Sequence, residues 1–287
     1  NILILDNLST GSTNKIPNSK NINFINFTLK NNNINSLSKI LNEDDVIIHL
    51  AAFGNVIESI QNPFPSFESN VEGTLCVLNA MKFAKTKKII FSSTGGALMG
   101  NTKPPVDETS IPSPISPYGA SKLAAEGYIR SFAECEEIKS IICRFGNVYG
   151  KYSLHKKGVV NKFIISALDE KVLTIRGDGN STRDYIHVSD ITSGIINCIN
   201  YLNNLYPKEV LTLHLANSSE VSLNELINTI QKVHGKKLSL ENIPEVRGEV
   251  KRNASLSSLA NKKINFQPEI KLIDGINELY SWLKMSK

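Results

Sequence analysis

Short apolar runs of strand length alternate with longer stretches of helical period over the first 150 residues, and this alternation constrains the fold more than any other feature of the chain. Residues 2–5, 22–27, 46–51, 88–92 and 140–144 read as strands. Residues 36–41 read as a helical turn, and 64–84 and 118–134 as helices. The run 46–51 is apolar without interruption, as a strand covered on both faces requires. Five prolines between residues 104 and 117 (Pro104, Pro105, Pro112, Pro114 and Pro117) impose a loop. Strands that alternate with helices in this way align in parallel, because each crossover helix packs back onto the sheet. The expected class is α/β, a doubly wound parallel sheet.

Beyond Gly150 the rhythm changes. Helices are expected near 160–168, 188–202, 223–234 and 274–283, short strands at 173–175 and 211–215, and a turn at Gly177-Asp178-Gly179. The expected division places residues 1–150, with about 184–216, in the sheet domain. Residues 151–183 and 217–287 then form a smaller C-terminal lobe. A lobe there would close over the C-terminal ends of the strands, where open α/β sheets take their ligands.

Composition excludes several functional classes. With 41% hydrophobic and 21% charged residues, the 287-residue chain has enough apolar material to offset chain entropy, so disorder is not expected. No apolar run approaches the ~18–20 residues of a membrane span, and no signal peptide is visible. Cys76, Cys135, Cys143 and Cys198 are scattered without C-x-x-C spacing, the pattern of reduced cytoplasmic thiols. His49, His155, His187, His214 and His234 lack ligand spacing, so no metal site is expected. The net charge of +5 comes from basic residues interspersed with acids, a solvated surface rather than a nucleic-acid groove.

The strongest chemical signal is Tyr118-Gly119-Ala120-Ser121-Lys122. A Tyr and a Lys four apart share a helical face, and a nearby cation favours the phenolate. A phenol brought down toward neutrality from ~10 can serve as a general base for a sugar hydroxyl. Ser92-Ser93-Thr94 ends a strand upstream and offers a second hydroxyl to share that proton. Read alone, the same residues are equally a helix-face pair beside a serine cluster.

The wider context carries a resemblance. It rests on Leu5-Asp6-Asn7-Leu8-Ser9-Thr10-Gly11, Ile48-His49-Leu50-Ala51-Ala52, Asn70-Val71-Glu72-Gly73-Thr74 and Phe91-Ser92-Ser93-Thr94-Gly95-Gly96. It continues through Ser116-Pro117-Tyr118-Gly119-Ala120-Ser121-Lys122, Arg144-Phe145-Gly146-Asn147-Val148-Tyr149-Gly150 and Gly177-Asp178-Gly179-Asn180-Ser181-Thr182-Arg183-Asp184-Tyr185. In these motifs, and in their order, the chain resembles the extended short-chain dehydrogenase/reductases of the NAD-dependent epimerase/dehydratase type, with UDP-glucose 4-epimerases the nearest kind.

The resemblance implies a Rossmann-like fold, a C-terminal substrate-binding lobe and NAD as cofactor. It makes Asp6 the carboxylate that binds the adenosine ribose, where an acid disfavours a 2′-phosphate. Asn7 would border the adenine. Leu50, Ala51, Ala52, Asn70, Ser92 and Phe145 would line the cofactor. Thr94, Tyr118 and Lys122 take the catalytic positions, and Lys122 would also hold the nicotinamide ribose. Asn147, Val159, Arg183 and Arg247 would join Thr94 in holding the substrate, Arg183 with the bidentate fork that suits a diphosphate. Without the resemblance, Asp6 reads as a turn initiator and Arg183 as a surface ion-pair residue. The family usually forms homodimers through two helices per subunit; 64–84 and 118–134 are the corresponding segments.

Reaction class must come from the site, because the fold hosts several. Dehydratases of this type carry an Asp-Glu pair after the catalytic Thr, where this chain has Gly95-Gly96. The remaining groups suffice for reversible hydride and proton transfer, and so for inverting C4 of a UDP-hexose through a 4-keto sugar. The alternatives are another nucleotide-sugar enzyme of the same family (a dehydratase, or an epimerase acting on a uronic or N-acetylated sugar) and a catalytically silent binder of NAD or nucleotide sugar. Several departures stand out. The family's opening strand and G-x-x-G-x-x-G phosphate turn have no counterpart in these residues, and the expectation is of a longer parent protein that carries them. Thr28 stands where an adenine-contacting Asp is usual. Arg247-Gly248-Glu249 is an R-x-G-[DE] motif with its Arg displaced by one, Leu256 replaces a following Asp, and Asn253 replaces a bulky residue near the sugar C2.

Overall fold

A computed structural model of the chain describes residues 1–153, 158–244 and 249–286. The first half runs β1 (Ile2–Asp6), β2 (Ile22–Asn26), α1 (Ile34–Ser38), β3 (Val46–His49), α2 (Val56–Gln61), α3 (Phe64–Ser66), α4 (Gly73–Ala84), β4 (Lys88–Thr94), α5 (Gly96–Met99), α6 (Pro117–Glu136) and β5 (Lys139–Phe145). The second half runs β6 (Asn147–Tyr149), α7 (Val159–Leu168), β7 (Leu173–Arg176), β8 (Thr182–Arg183), β9 (Tyr185–His187), α8 (Val188–Tyr201), β10 (Val210–Leu215), β11 (Val221–Ser222), α9 (Leu223–His234), β12 (Leu240–Ile243), α10 (Ser258–Ile264) and α11 (Leu272–Met285).

The central sheet is parallel, with strand order β10-β5-β4-β3, and β1 and β2 form a separate parallel pair. Side chains alternate across β4 and β5 with the two-residue period of a strand. Ile89, Phe91 and Ile142 enter one apolar cluster with α1, α4 and α6. Ile90, Ile141 and Cys143 enter another, with α8, α10 and β10. This is the doubly wound Rossmann-like arrangement expected. Leu5 of β1 and Ile47 of β3 pack against the same cluster, although no strand pairing joins β1 to β3.

One sequence expectation is corrected at β3. The run 46–51 is not covered on both faces: Ile48 is 39% exposed and Leu50 53%, while His49 between them is buried, and among the described residues β3 is also an edge strand, paired with β4 alone. A second concerns 64–84, which is not one regular helix. Between α3 and α4 the backbone widens to π geometry over Phe67–Glu72, burying Asn70 and Val71. Such widenings are frequent at functional sites.

A third apolar cluster lies away from the sheet. Residues of α7, β7, α9 and α11 build it, together with Tyr149 and Tyr185. Local signals place α9 well: Ser222 and Glu225 cap its start reciprocally, and Gly235, at φ +80°, ends it in the left-handed conformation that favours glycine. The expected lobe boundary needs one amendment. Ala260, Ile264 and Phe266 pack with the sheet's second cluster, so α10 belongs to the sheet side although it lies beyond residue 217. Among the described residues, no helix is long and apolar enough to cross a membrane.

Phe163 is buried at the centre of the third cluster. Phe163→Ala should cost about 3–5 kcal/mol of stability, read as a lowered midpoint in urea unfolding followed by circular dichroism.

Candidate active site

Strand β4 ends at Thr94, and α6 begins beside it. Ser116 caps α6 by accepting the Gly119 N–H at 3.2 Å, and Pro117 occupies the first turn, where its missing N–H costs nothing. Tyr118 therefore sits in the first helical turn, where its hydroxyl hydrogen-bonds Thr94. Lys122, one turn on, is buried, and its Nζ donates to the Ser92 carbonyl at 2.8 Å. Asn70, in the π-widened segment, cross-braces the region. Its Nδ2 donates to Ser121 Oγ (2.8 Å) and to the Phe53 carbonyl (3.1 Å), while its Oδ1 accepts the Phe53 N–H (2.8 Å). Ser92 Oγ donates to the His49 carbonyl at 3.0 Å, tying β4 to β3. Thr94, Tyr118, Lys122, Ser92 and Asn70 are thus brought together.

The electrostatics do not follow the sequence expectation. Lys122 was expected to lower the phenol of Tyr118; instead burial pushes Tyr118 up to about 12, and only the hydrogen bond with Thr94 opposes it. The same burial brings Lys122 down to about 7, with Glu126 pulling it back. Desolvation disfavours both charged forms and is the largest cause of both shifts.

Other predicted residues occupy two further places. Asp6 and Asn7 are exposed at the end of β1; Asp6 Oδ1 accepts the Leu8 N–H at 2.6 Å, and a Cβ on Gly11 would stand 3.4 Å from that oxygen. Leu50, Ala51 and Ala52 are exposed just beyond β3, and the Phe145 carbonyl accepts the Gly95 N–H at 2.9 Å. Asn147 and Val159 meet in a cleft that Tyr149, Ser153, Asn161 and Tyr185 also line. The Tyr185 hydroxyl is buried there without a partner among the described residues. Arg183 donates to the Thr182 carbonyl at 2.8 Å. Arg247 lies outside the described residues.

Ser255 and His214, which the sequence reading missed as site residues, and Asn253, which it placed near the sugar C2, surround Gly95 and Gly96. A Cβ on Gly95 would lie 2.8 Å from Ser255 Oγ and 3.3 Å from His214 Nδ1; one on Gly96 would lie 3.0 Å from Asn253 Oδ1. These three buried atoms have no hydrogen-bond partner among the described residues. The space an acidic pair would need is filled by the segment 253–255. Asp184 anchors that segment: its buried carboxylate accepts the N–H groups of Asn217 (2.8 Å) and Ser255 (3.2 Å), and burial raises it to about 6. The neighbouring Arg183 carried the sequence signal, but the anchoring role of Asp184 requires contacts 33 and 71 residues away.

Several of these groups fit a nicotinamide dinucleotide. Asp6 presents a carboxylate at a strand end, small side chains follow β3, and the Lys122 ammonium has three donors of which the structure shows one taken, by Ser92.

Comparison with known proteins places this geometry in context. Residues 1–212 match the model of the NAD dependent epimerase/dehydratase family. A putative UDP-glucose 4-epimerase of Methanocaldococcus jannaschii is 34% identical over 99% of this chain and 90% of its own length. The crystal structure of UDP-glucose 4-epimerase from Thermotoga maritima with UDP-glucose superposes with a TM-score of 0.89, at 27% identity, over 99% of this chain and 91% of that one. The UDP-glucuronic acid 4-epimerase of Bacillus cereus, in complex with UDP-glucuronic acid and NAD, gives 0.90, also at 27% identity and with the same coverage.

In the free protein, Tyr118 should stay protonated at pH 10, where a free tyrosine is about half ionised. Ultraviolet difference absorbance between wild type and Tyr118→Phe reads this directly; a full phenolate band from Tyr118 at pH 10 would contradict the burial.

Proposed function

The chain belongs to the NAD dependent epimerase/dehydratase family, and from that footing we propose that it inverts C4 of a UDP-hexose, with Tyr118 as the base and Thr94 and Lys122 beside it. The observation that carries the reading is the Thr94–Tyr118 hydroxyl contact, with a buried ammonium one turn away and with Ser255, His214 and Asn253 crowding any side chain added at Gly95 or Gly96. A dehydratase needs acids there to move protons at neighbouring carbons. An epimerase needs a single proton moved off one hydroxyl and back.

Bound NAD would supply a reversible hydride acceptor for C4 and a positive ring that favours the phenolate. The chain's own residues do the rest. Tyr118 accepts the C4 hydroxyl proton and returns it, while Thr94 shares the hydrogen bond and keeps that oxygen within reach. Lys122 would hold the nicotinamide ribose and Asp6 the adenosine ribose, with Asn7, Leu50, Ala51, Ala52, Asn70, Ser92 and Phe145 around the dinucleotide. Arg183 would grip the diphosphate of the substrate, helped by Asn147, Val159 and Arg247. The sheet side would thus carry the cofactor and the lobe of α7, α9 and α11 the nucleotide sugar.

The reading includes a cytoplasmic homodimer. Free thiols at all four cysteines suit a reducing compartment. Phe64, Phe67, Phe83 and Tyr128, which lie on the segments 64–84 and α6, are all exposed, at 68%, 57%, 61% and 41%. Large aromatic side chains left in water on two helices suit a self-complementary helical interface.

Two measurements test the proposal. With UDP-glucose and NAD, proton NMR should show UDP-galactose accumulating, and Tyr118→Phe should slow it by ~10²–10⁴-fold; equal rates would remove Tyr118 from the base role. UDP-glucuronic acid and UDP-N-acetylglucosamine in parallel assign the sugar. Phe67→Glu with Tyr128→Glu should convert a dimer to a monomer in light scattering, and an unchanged mass would place the interface elsewhere.

A further inference from the structure

Four residues behind the site form a buried ionic seam that the reaction does not itself consume. Glu126 follows Lys122 by one turn of α6, and Arg144 lies opposite Ser93 in the β4–β5 register. Arg144 Nε and Nη2 donate to the two Glu126 oxygens at 3.0 and 2.8 Å, and Ser93 Oγ donates to Oε1 at 2.6 Å. Both charged side chains are almost wholly buried. A pair this deep is a poor source of stability, since its desolvation offsets much of the attraction and apolar replacements often match it. Its position suggests a different use. Consecutive residues of β4 are gripped by consecutive turns of α6: Ser92 by Lys122, Ser93 by Glu126.

We propose that Glu126 is the positioning residue for Lys122: bound to Ser93 and Arg144, it fixes the third turn of α6 on β4 and sets a carboxylate one turn beyond the Lys122 amine. The surroundings of Lys122 leave it little other support. The Phe91 ring lies 4.7 Å from Nζ and contributes a cation–π contact. His49 of β3 faces the same space, but burial holds it neutral down to about pH 3, and its Nε2 is engaged with Thr74 Oγ1 at 3.0 Å. Tyr118 stays protonated, and the positive Arg144 lies behind Glu126 on β5. Glu126 is therefore the anion that opposes the loss of the Lys122 proton, which burial brings down to about 7. An ammonium presents three donors where a neutral amine presents two, so the charge bears on how Lys122 grips a ribose. That consequence rests on the role proposed above for Lys122; the test does not.

The experiment needs neither cofactor nor substrate. In protein labelled with ¹³C- and ¹⁵N-lysine, the Lys122 resonance, assigned by its absence in Lys122→Met, is followed by NMR from pH 5 to 9. Wild type should titrate near 7. Glu126→Gln, which retains the shape and a partner for Ser93, should titrate about one pH unit lower. Ser93→Ala, which keeps the charge, should leave the midpoint in place. An unmoved midpoint in Glu126→Gln, or an equal shift in Ser93→Ala, overturns the proposal. Should Glu126→Gln fail to fold around its unpaired arginine, the apolar double variant Glu126→Leu with Arg144→Met takes its place. Because it also removes the opposing charge of Arg144, its midpoint should fall by less than in Glu126→Gln, and a midpoint at or above that of wild type overturns the assignment. A merely structural role would change the melting temperature and leave the titration unmoved.

Discussion

The seam between α6 and β4 is the contact on which the arrangement of this protein depends. The strand is central in the sheet and covered on both faces, so it is rigid for reasons unrelated to chemistry: parallel neighbours on each edge and apolar clusters above and below. The helix carries the phenol of Tyr118, and its seat on the strand decides whether that phenol meets Thr94. Apolar packing of Ala125, Ile129 and Ala133 brings the two together without specifying a height to better than a side chain. The directional contacts of Lys122 and Glu126 with successive strand residues supply what packing lacks, and Asn70 braces the helix from the opposite side.

Burial at this seam also governs its charges. Close packing dries the site, and drying raises the phenol while lowering the ammonium, so the resting protein holds both groups nearer neutrality than free side chains would be.

Much of this was legible in the sequence, and the parts that were not share a cause. Helix α9 could be read to the residue, because Ser222, Glu225 and Gly235 mark its ends with local chemistry. The segments β4, β5 and α6 were legible from period and composition. The short strands β8 and β11 were not, because two residues carry no period; they exist only because Arg183 pairs with Val221 and Thr182 with Ser222. The same holds for β12, which β7 recruits across more than sixty residues. At the site, the identities of Thr94, Tyr118 and Lys122 were legible from motif. The direction of the Tyr118 shift was not, because burial is a property of the assembled core and leaves no trace in a five-residue string. The exposure of β3 is of the same kind, since a strand's sequence does not record which neighbours it will have.

The interlock of Gly95 and Gly96 with the segment 253–255 has a consequence for how this chemistry could change. Acids at those two positions are what would convert a proton shuttle at one hydroxyl into elimination across two carbons. A side chain at Gly95 would crowd Ser255 and His214 and one at Gly96 would crowd Asn253; these residues lie far along the chain, and Asp184 accepts the Ser255 N–H. A substitution at either glycine therefore asks this distant segment to give way, so two stretches far apart in the chain are coupled sterically.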